Sequence, residues 1–332
     1  MGEDPQTPSE AAKKPLKSEG LSLFLPDSPT RGQAWLFPGQ GAQEVGMGAD
    51  LWEGSPAARH VFDVADEVLG YRLSELCFQG PDDKLRETEY TQPAILATSL
   101  ACLAAAIEAG RFSQRPAFMA GHSLGEYSAL VASGALTLED GFLLIRERAR
   151  LMQKASTVEK GGMAAILGSD EDTVNQLCVD ADVDVCNFNL PSQTVIGGRA
   201  ANVAKAVSIA KERGMRAMEL NVGGAFHSRL MRPAIEGLTK AVAEANVQPP
   251  YVPVVANATA TSMTEPGAVR DELGAQVARP VRWHESVTLM AADGVTEFVE
   301  FGPGRVLTGL CKRLFPSATL INVSTLADAR AS

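Results

Sequence analysis

The sequence predicts an α/β protein, a large domain on a parallel sheet interrupted by a small inserted ferredoxin-like subdomain. Three observations predict it. Short apolar runs alternate with longer helical segments along most of the chain, the rhythm of parallel strands joined by crossover helices. From Gly162 to Val222 the order changes to βαββαβ, the signature of a ferredoxin-like unit. Finally, Gly121-His122-Ser123-Leu124-Gly125 falls where a short strand runs into a helix.

Met1 to Gly32 are rich in Pro, Ser, Glu and Lys without periodicity and read as a flexible extension (1–32), with a short turn near Leu21 to Leu25. Order is expected from Gln33. Ala34-Trp35-Leu36-Phe37 makes a strand that stops at Pro38-Gly39-Gln40-Gly41, a loop whose glycines permit close backbone approach to a ligand. A helix is expected from Thr91 to Ala109, with Thr91 as N-cap and Pro93 in the first turn. A buried strand, Ala117 to Ala120, and helices Leu124 to Ala132 and Leu138 to Lys154 follow. The insert, placed at 159–223, reads as strand Met163 to Leu167, helix Asp170 to Asp180, strands Val183 to Asn187 and Gln193 to Gly197, helix Ala200 to Arg213 and strand Arg216 to Asn221. The large domain, 33–158 and 224–325, resumes with helix Ser228 to Ala245, strand Val252 to Asn257, a helix near Val281 to Asp293, strand Glu297 to Phe301 and a last helix from Arg305.

Of the 332 residues, 45% are hydrophobic and 21% charged, which suits a globular enzyme with one large core and a smaller one. The longest apolar stretch, Ala94 to Ile107, is broken by Thr98 and Ser99 and stays short of the ~20 residues of a membrane span, so no such span is expected. Met1 to Ser18 mixes acids with lysines and has no apolar core, unlike a secretory or transit peptide, which points to the cytoplasm. A net charge of −10 without a long basic run argues against a nucleic-acid partner. The nearest basic patch, Arg305, Lys312 and Arg313, reads either as helix C-terminal charge or as a docking surface for an acidic protein. The five cysteines form no C-x-x-C pair and read as reduced core thiols. No heptad pattern marks an oligomer interface, and a monomer is expected.

Gly121-His122-Ser123-Leu124-Gly125 matches G-x-S-x-G, and its setting between strand and helix is that of the nucleophile elbow of hydrolase-like α/β domains. Small residues two before and two after the serine let the chain turn sharply. The following helix aims N–H groups and its positive end at a developing oxyanion. A serine needs a base, normally histidine, and there are four histidines. His60 falls in a surface helix, His122 adjoins the serine and is expected to point elsewhere, and His284 sits near a helix start. That leaves His227, in the turn Gly223-Gly224-Ala225-Phe226-His227-Ser228 that leaves the insert. No acidic third member is evident. On a helix over Gly141 to Lys154, Arg148 falls between Leu144 and Met152 on the apolar side. A buried arginine needs an anion, either a structural Asp or Glu or the carboxylate of a substrate.

The chain resembles the malonyl-CoA:acyl carrier protein transacylases of fatty acid synthesis and the acyltransferases of polyketide synthases. The matching segments, in the family's order, are Phe37 to Gln43, Thr91-Gln92-Pro93-Ala94, Gly121 to Tyr127, Arg148 to Gln153, Asn187 to Gly197, Gly224 to Ser228 and Gly302-Pro303-Gly304. The resemblance implies Ser123 as nucleophile and His227 as base, with the backbone N–H groups of Gln40 and Leu124 as oxyanion hole. It implies Arg148 as partner of the malonyl carboxylate, Gln92 and Asn189 as pocket lining, and the carbonyl of Gln276 as the group that orients the histidine. It further implies selection at C2 of the acyl group by Phe226 and Leu124, the bulky pair of malonyl-selective members. The expected substrate is malonyl-CoA and the expected partner a phosphopantetheinylated acyl carrier protein. No metal and no bound cofactor are called for. The residue after Arg148, often glycine in relatives, is Ala149 here. The rival readings are a hydrolase on the same scaffold, disfavoured by Arg148, and a non-catalytic carrier-docking module.

Overall fold

In the computed structural model, which describes residues 28–331, the apolar runs pair as two separate sheets. The strands, in chain order, are β1 (Gln33–Phe37), β2 (Phe118–Gly121), β3 (Gly161–Leu167), β4 (Asp184–Leu190), β5 (Gln193–Arg199), β6 (Arg216–Leu220), β7 (Val254–Val255), β8 (Ser262–Met263), β9 (Glu297–Phe301) and β10 (Thr319–Val323). The larger sheet has the order β10-β9-β1-β2-β7-β8, parallel throughout except for the β7–β8 hairpin. Its centre is buried on both faces, which is why β1 and β2 read as unbroken apolar runs.

Alternation along β1 divides the core. Trp35 and Phe37 face one layer, where Phe301 and the helices Pro56–Leu69, Thr88–Glu108 and Leu138–Val158 pack. Ala34 and Leu36 face the other, against Trp283, Val287, Leu307 and Leu310 of the helices Trp283–Ala292 and Val306–Leu314. By length and composition Thr88–Glu108 could cross a membrane, yet 89% of its apolar window is buried inside the protein.

The smaller sheet, antiparallel in the order β4-β5-β3-β6, is the ferredoxin-like unit. Ala164 and Ile166 of β3 face the helices Glu171–Ala181 and Ala200–Glu212, while Met163 and Ala165 face the other way, onto Phe226, Leu238 and Val277. One further link ties the smaller sheet to the large unit. At the parallel bridge Asn187–Val281, Phe188 N donates to Val281 O and Val281 N to Cys186 O, both at 2.8 Å.

Several expectations are corrected. Residues 28–32, the described part of the expected extension, are engaged: Thr30 N donates to Arg115 O, Arg115 N donates to Ser28 O, and Gly32 O accepts from Thr296 and Glu297. The backbone groups of this segment thus find partners that composition alone does not reveal. The turn expected near Leu21 to Leu25 lies outside the described residues.

The helix expected from Thr91 runs from Thr88 to Glu108, capped by Glu87 without a side-chain bond. Thr91 is not its cap; its hydroxyl donates to Leu85 O, and Pro93 lies inside the helix. The strand expected over 252–257 is only Val254–Val255, because Ala256 N donates to Thr261 O and the chain turns back into β8. The expected helix over 228–245 opens with a 3-10 turn, Arg229–Met231, before Arg232–Glu244. Edge strand β10 was not anticipated. The basic patch is helix-terminal in part, since Lys312 donates to Pro316 O and Arg313 to Gly309 O.

Candidate active site

Ser123 sits at the end of β2, before the helix Gly125–Ala132, with φ +56°, a left-handed conformation costly for a residue with a Cβ. The flanking glycines leave no alternative. A Cβ on Gly121 would lie 1.9 Å from the carbonyl of Gly125, and one on Gly125 would lie 2.1 Å from Phe37 O. The turn therefore closes only with hydrogen at both positions.

His227, buried and also left-handed at φ +61°, reaches this serine from the turn after the insert, with Ser123 Oγ 2.6 Å from its Nε2. Its Nδ1 lies 3.1 Å from two carbonyl oxygens, those of Gln276 and Arg279. Both are acceptors, so the proton is on Nδ1 and the Nε2 lone pair faces the serine hydroxyl. The ring has two orienting carbonyls and no carboxylate. Burial, reinforced by the Arg148 cation, lowers its pKa from the usual 6.5 to about 3. His227 is a neutral imidazole at physiological pH.

Arg148 is fully buried, as its helical phase predicts. Its Nη1 donates to Gln92 Oε1 at 2.6 Å, and Nη2 donates to Gln276 Oε1 at 2.9 Å and to Ser123 Oγ at 3.0 Å. All three acceptors are neutral, and among the described residues no Asp or Glu forms an ion pair with it. Burial holds its pKa below the usual guanidinium value. Glu126 acts on it only electrostatically, and a buried cation whose hydrogen-bond partners are all neutral is incompletely compensated.

These side chains open into a cavity of about 500 Å³ between the two sheets, lined also by Gln40, Leu124, Asn189 and Phe226. The backbone N–H groups of Gln40 and Leu124 make no hydrogen bond to another group among the described residues. His122 bonds Asn189 Oδ1 through Nε2 at 2.9 Å, not the serine hydroxyl, yet it lines the same cavity. His60 is exposed and His284 bonds Phe188 O, both outside this group. Among the described residues, no three His, Cys, Asp or Glu side chains are grouped as metal ligands would be.

The sequence profile of the acyl transferase domain matches residues 34–329, nearly the whole described chain. The chain belongs to the acyl transferase family. This acyl transferase is 44% identical over 297 residues to the malonyl CoA-acyl carrier protein transacylase of Bacillus subtilis, covering 88% of this chain and 93% of that one. Among solved structures, the malonyl-CoA:acyl carrier protein transacylase of Xanthomonas oryzae superposes with a TM-score of 0.86 at 42% identity, over 90% of this chain and 96% of that one. A malonyl-transacylase solved with its type II polyketide synthase acyl carrier protein superposes at 0.85 with 38% identity, over 90% and 97% of the two chains.

Two residues of the acyl transferase site escape sequence reasoning. Asn257 accepts from Ser123 N at 2.7 Å and donates to Gly121 O at 2.7 Å. Glu126, fully buried, accepts from Asn257 N and from Gln276 Nε2. Glu126 was legible in principle: a charge in a helix that is apolar on every side has to be buried and supplied with donors.

Proposed function

We propose that the chain transfers a malonyl group from malonyl-CoA to the phosphopantetheine thiol of an acyl carrier protein through an ester on Ser123. The observation that carries this reading is Arg148. A fully buried guanidinium beside the serine, facing only neutral acceptors, is suited to a substrate that brings its own carboxylate.

In the first half, the malonyl carboxylate pairs with Arg148 and draws its Nη2 off the serine oxygen. Ser123 Oγ attacks the thioester carbonyl while its proton passes to His227 Nε2. Negative charge on the former carbonyl oxygen is met by the N–H groups of Gln40 and Leu124. The C–S bond breaks, and the proton on His227 goes to the departing sulfur, giving coenzyme A and malonyl-Ser123. In the second half, His227 takes the proton of the carrier thiol, the thiolate attacks the ester, and the serine leaves with that proton. A thioester is consumed and a thioester is formed, so these side chains account for every proton and bond. Phe226 and Leu124 line the same cavity with Gln92 and Asn189, and in this reading the first two exclude a methyl at C2 of the acyl group.

The test is the ratio of malonyl to acetyl loading on Ser123, measured by single-turnover mass spectrometry. Arg148→Ala leaves the malonyl charge unpaired and should cost roughly 2–5 kcal/mol in transition-state binding. Acetyl loading, which needs no carboxylate partner, should hold or improve. An unchanged ratio would refute the clamp, and a malonyl adduct persisting on Ser123→Ala would refute the nucleophile.

A further inference from the structure

Glu126 is a buried ionisable group beside the nucleophile that the transfer reaction leaves without a task. Its side chain lies at 0% exposure in the first turn of Gly125–Ala132, three residues after the nucleophile. Every polar contact it makes is with a donor that also grips the elbow. Oε1 accepts from Asn257 N at 2.8 Å and from Asn257 Nδ2 at 3.2 Å, and Oε2 accepts from Gln276 Nε2 at 2.7 Å. Asn257 Oδ1 in turn accepts the N–H of Ser123 at 2.7 Å. Gln276 Nε2 donates to the carbonyl of Ser123 at 2.9 Å, and its main-chain oxygen faces His227 Nδ1 at 3.1 Å.

We propose that Glu126 is a positioning residue, whose carboxyl group fixes Asn257 and Gln276 so that these two hold the N–H and the C=O of Ser123 in its left-handed conformation. The geometry carries a consequence for the oxyanion hole. With the Ser123 N–H taken by Asn257, the next one, Leu124 N–H, is left without a hydrogen-bond partner among the described residues, on a residue that lines the cavity. Because Gln276 Oε1 is held by Arg148 while its Nε2 serves Glu126 and Ser123, the amide has one workable orientation. Burial and the neighbouring Glu272 push Glu126 well above the usual carboxylate range, and the Asn257 and Gln276 donors and Arg148 pull it back. The chain keeps a carboxyl in an unfavourable place, where only a carboxylate offers acceptors at both ends.

Glu126→Gln tests this with little change of volume. An amide nitrogen at 126 must face either the Asn257 donors or Gln276 Nε2, a donor against a donor in both cases. The proposal rests on Ser123 being the nucleophile, a reading that Ser123→Ala tests separately. Acylation of Ser123 by malonyl-CoA and by acetyl-CoA should slow by about ten- to a hundredfold, to a similar extent for both. Labelling of Ser123 by a small alkyl fluorophosphonate, which needs neither Arg148 nor coenzyme A, should slow in parallel. The melting temperature should change little, because relief from burying a carboxyl offsets the donor left unpaired. Asn257→Ala should slow labelling likewise, and the double variant should be no slower than the worse single, because one chain of contacts is broken twice. Wild-type labelling in Glu126→Gln would overturn the proposal. So would a loss that tracks a fall in melting temperature, fully additive single effects, or a defect confined to malonyl-CoA.

Discussion

At the scale of single residues, the His227 imidazole and the Arg148 guanidinium each come within 3.0 Å of Ser123 Oγ, the proposed nucleophile. The environment of His227 sets its pH response. Burial first, and then the Arg148 cation, disfavour imidazolium and lower its pKa to about 3. The free enzyme should therefore keep a competent base far below the ordinary imidazole midpoint. Single-turnover acylation at low malonyl-CoA is expected to stay flat from pH 8 to about pH 5, where an unperturbed histidine would already have lost more than tenfold. On the proposed reading, a bound malonyl carboxylate neutralises Arg148 and removes one cause of the depression. The acid limb should then move upward at saturating substrate, since an anion near His227 favours its protonated form. Stopped-flow profiles at low and saturating malonyl-CoA measure both limbs; a limb near pH 6.5 at low substrate would contradict the assignment. The same group links pH to stability. Its folded pKa is depressed, so below about pH 6.5 the unfolded chain binds a proton that the native state refuses, and stability contributed by the neutral ring is lost as pH falls.

At the scale of elements, the elbow is specified by what its glycines exclude. Gly125→Ala should gain about 1 kcal/mol of intrinsic helix propensity. Against this, the added Cβ would meet Phe37 O at 2.1 Å and Pro38 O at 2.8 Å, both backbone atoms of the loop that carries Gln40. Overpacking costs ~1–3 kcal/mol or more when backbone must move, so the clash wins. The variant is expected to melt lower and to acylate slowly, because shifting Pro38 displaces the Gln40 N–H. Thermal melts with single-turnover loading decide it, and an unchanged melting temperature would show that the loop yields freely. The same contrast explains what sequence reveals. Ser123 with its glycines, and the phase of Arg148, are each local patterns written within a few residues, and the helical phase alone places Arg148 inside. Thr91 misleads because a threonine before a proline mimics a helix start, while its hydroxyl is in fact used by Leu85 O. Asn257 is invisible because its role depends on a turn between β7 and β8 that brings it 134 positions back to Ser123. Strand β10 hides for a related reason: as an edge strand it is mostly half-buried and carries neither a continuous apolar run nor clean alternation.

At the scale of the whole molecule, the cavity lies between two sheets, so its shape depends on how firmly they are joined. The junction is apolar and deep. Met163, Ala165, Cys186 and Val195 of the small sheet pack against Phe226, Met231, Leu238 and Val277, all buried. The Asn187–Val281 bridge also ties β4 to the segment whose Gln276 and Arg279 carbonyls orient His227. A polar junction would let the small unit open alone, whereas a shared apolar core favours one cooperative transition. The tryptophans make this measurable. All three, Trp35, Trp52 and Trp283, lie outside β3 to β6 and the helices between them, so fluorescence reports the large sheet and its helices, while far-ultraviolet circular dichroism reports both units. The two signals should give the same urea midpoint. Ile196→Ala sharpens the test, because Ile196 is fully buried on the face of the small sheet that meets only its own helices. Its truncation should cost roughly 2–5 kcal/mol, and if the units unfold together that loss must lower the tryptophan midpoint although no tryptophan belongs to the apolar cluster around Ile196. A dichroism phase preceding the fluorescence change, or a tryptophan midpoint unmoved by Ile196→Ala, would show that the small unit unfolds on its own and that the cleft between the sheets is held by the large unit alone.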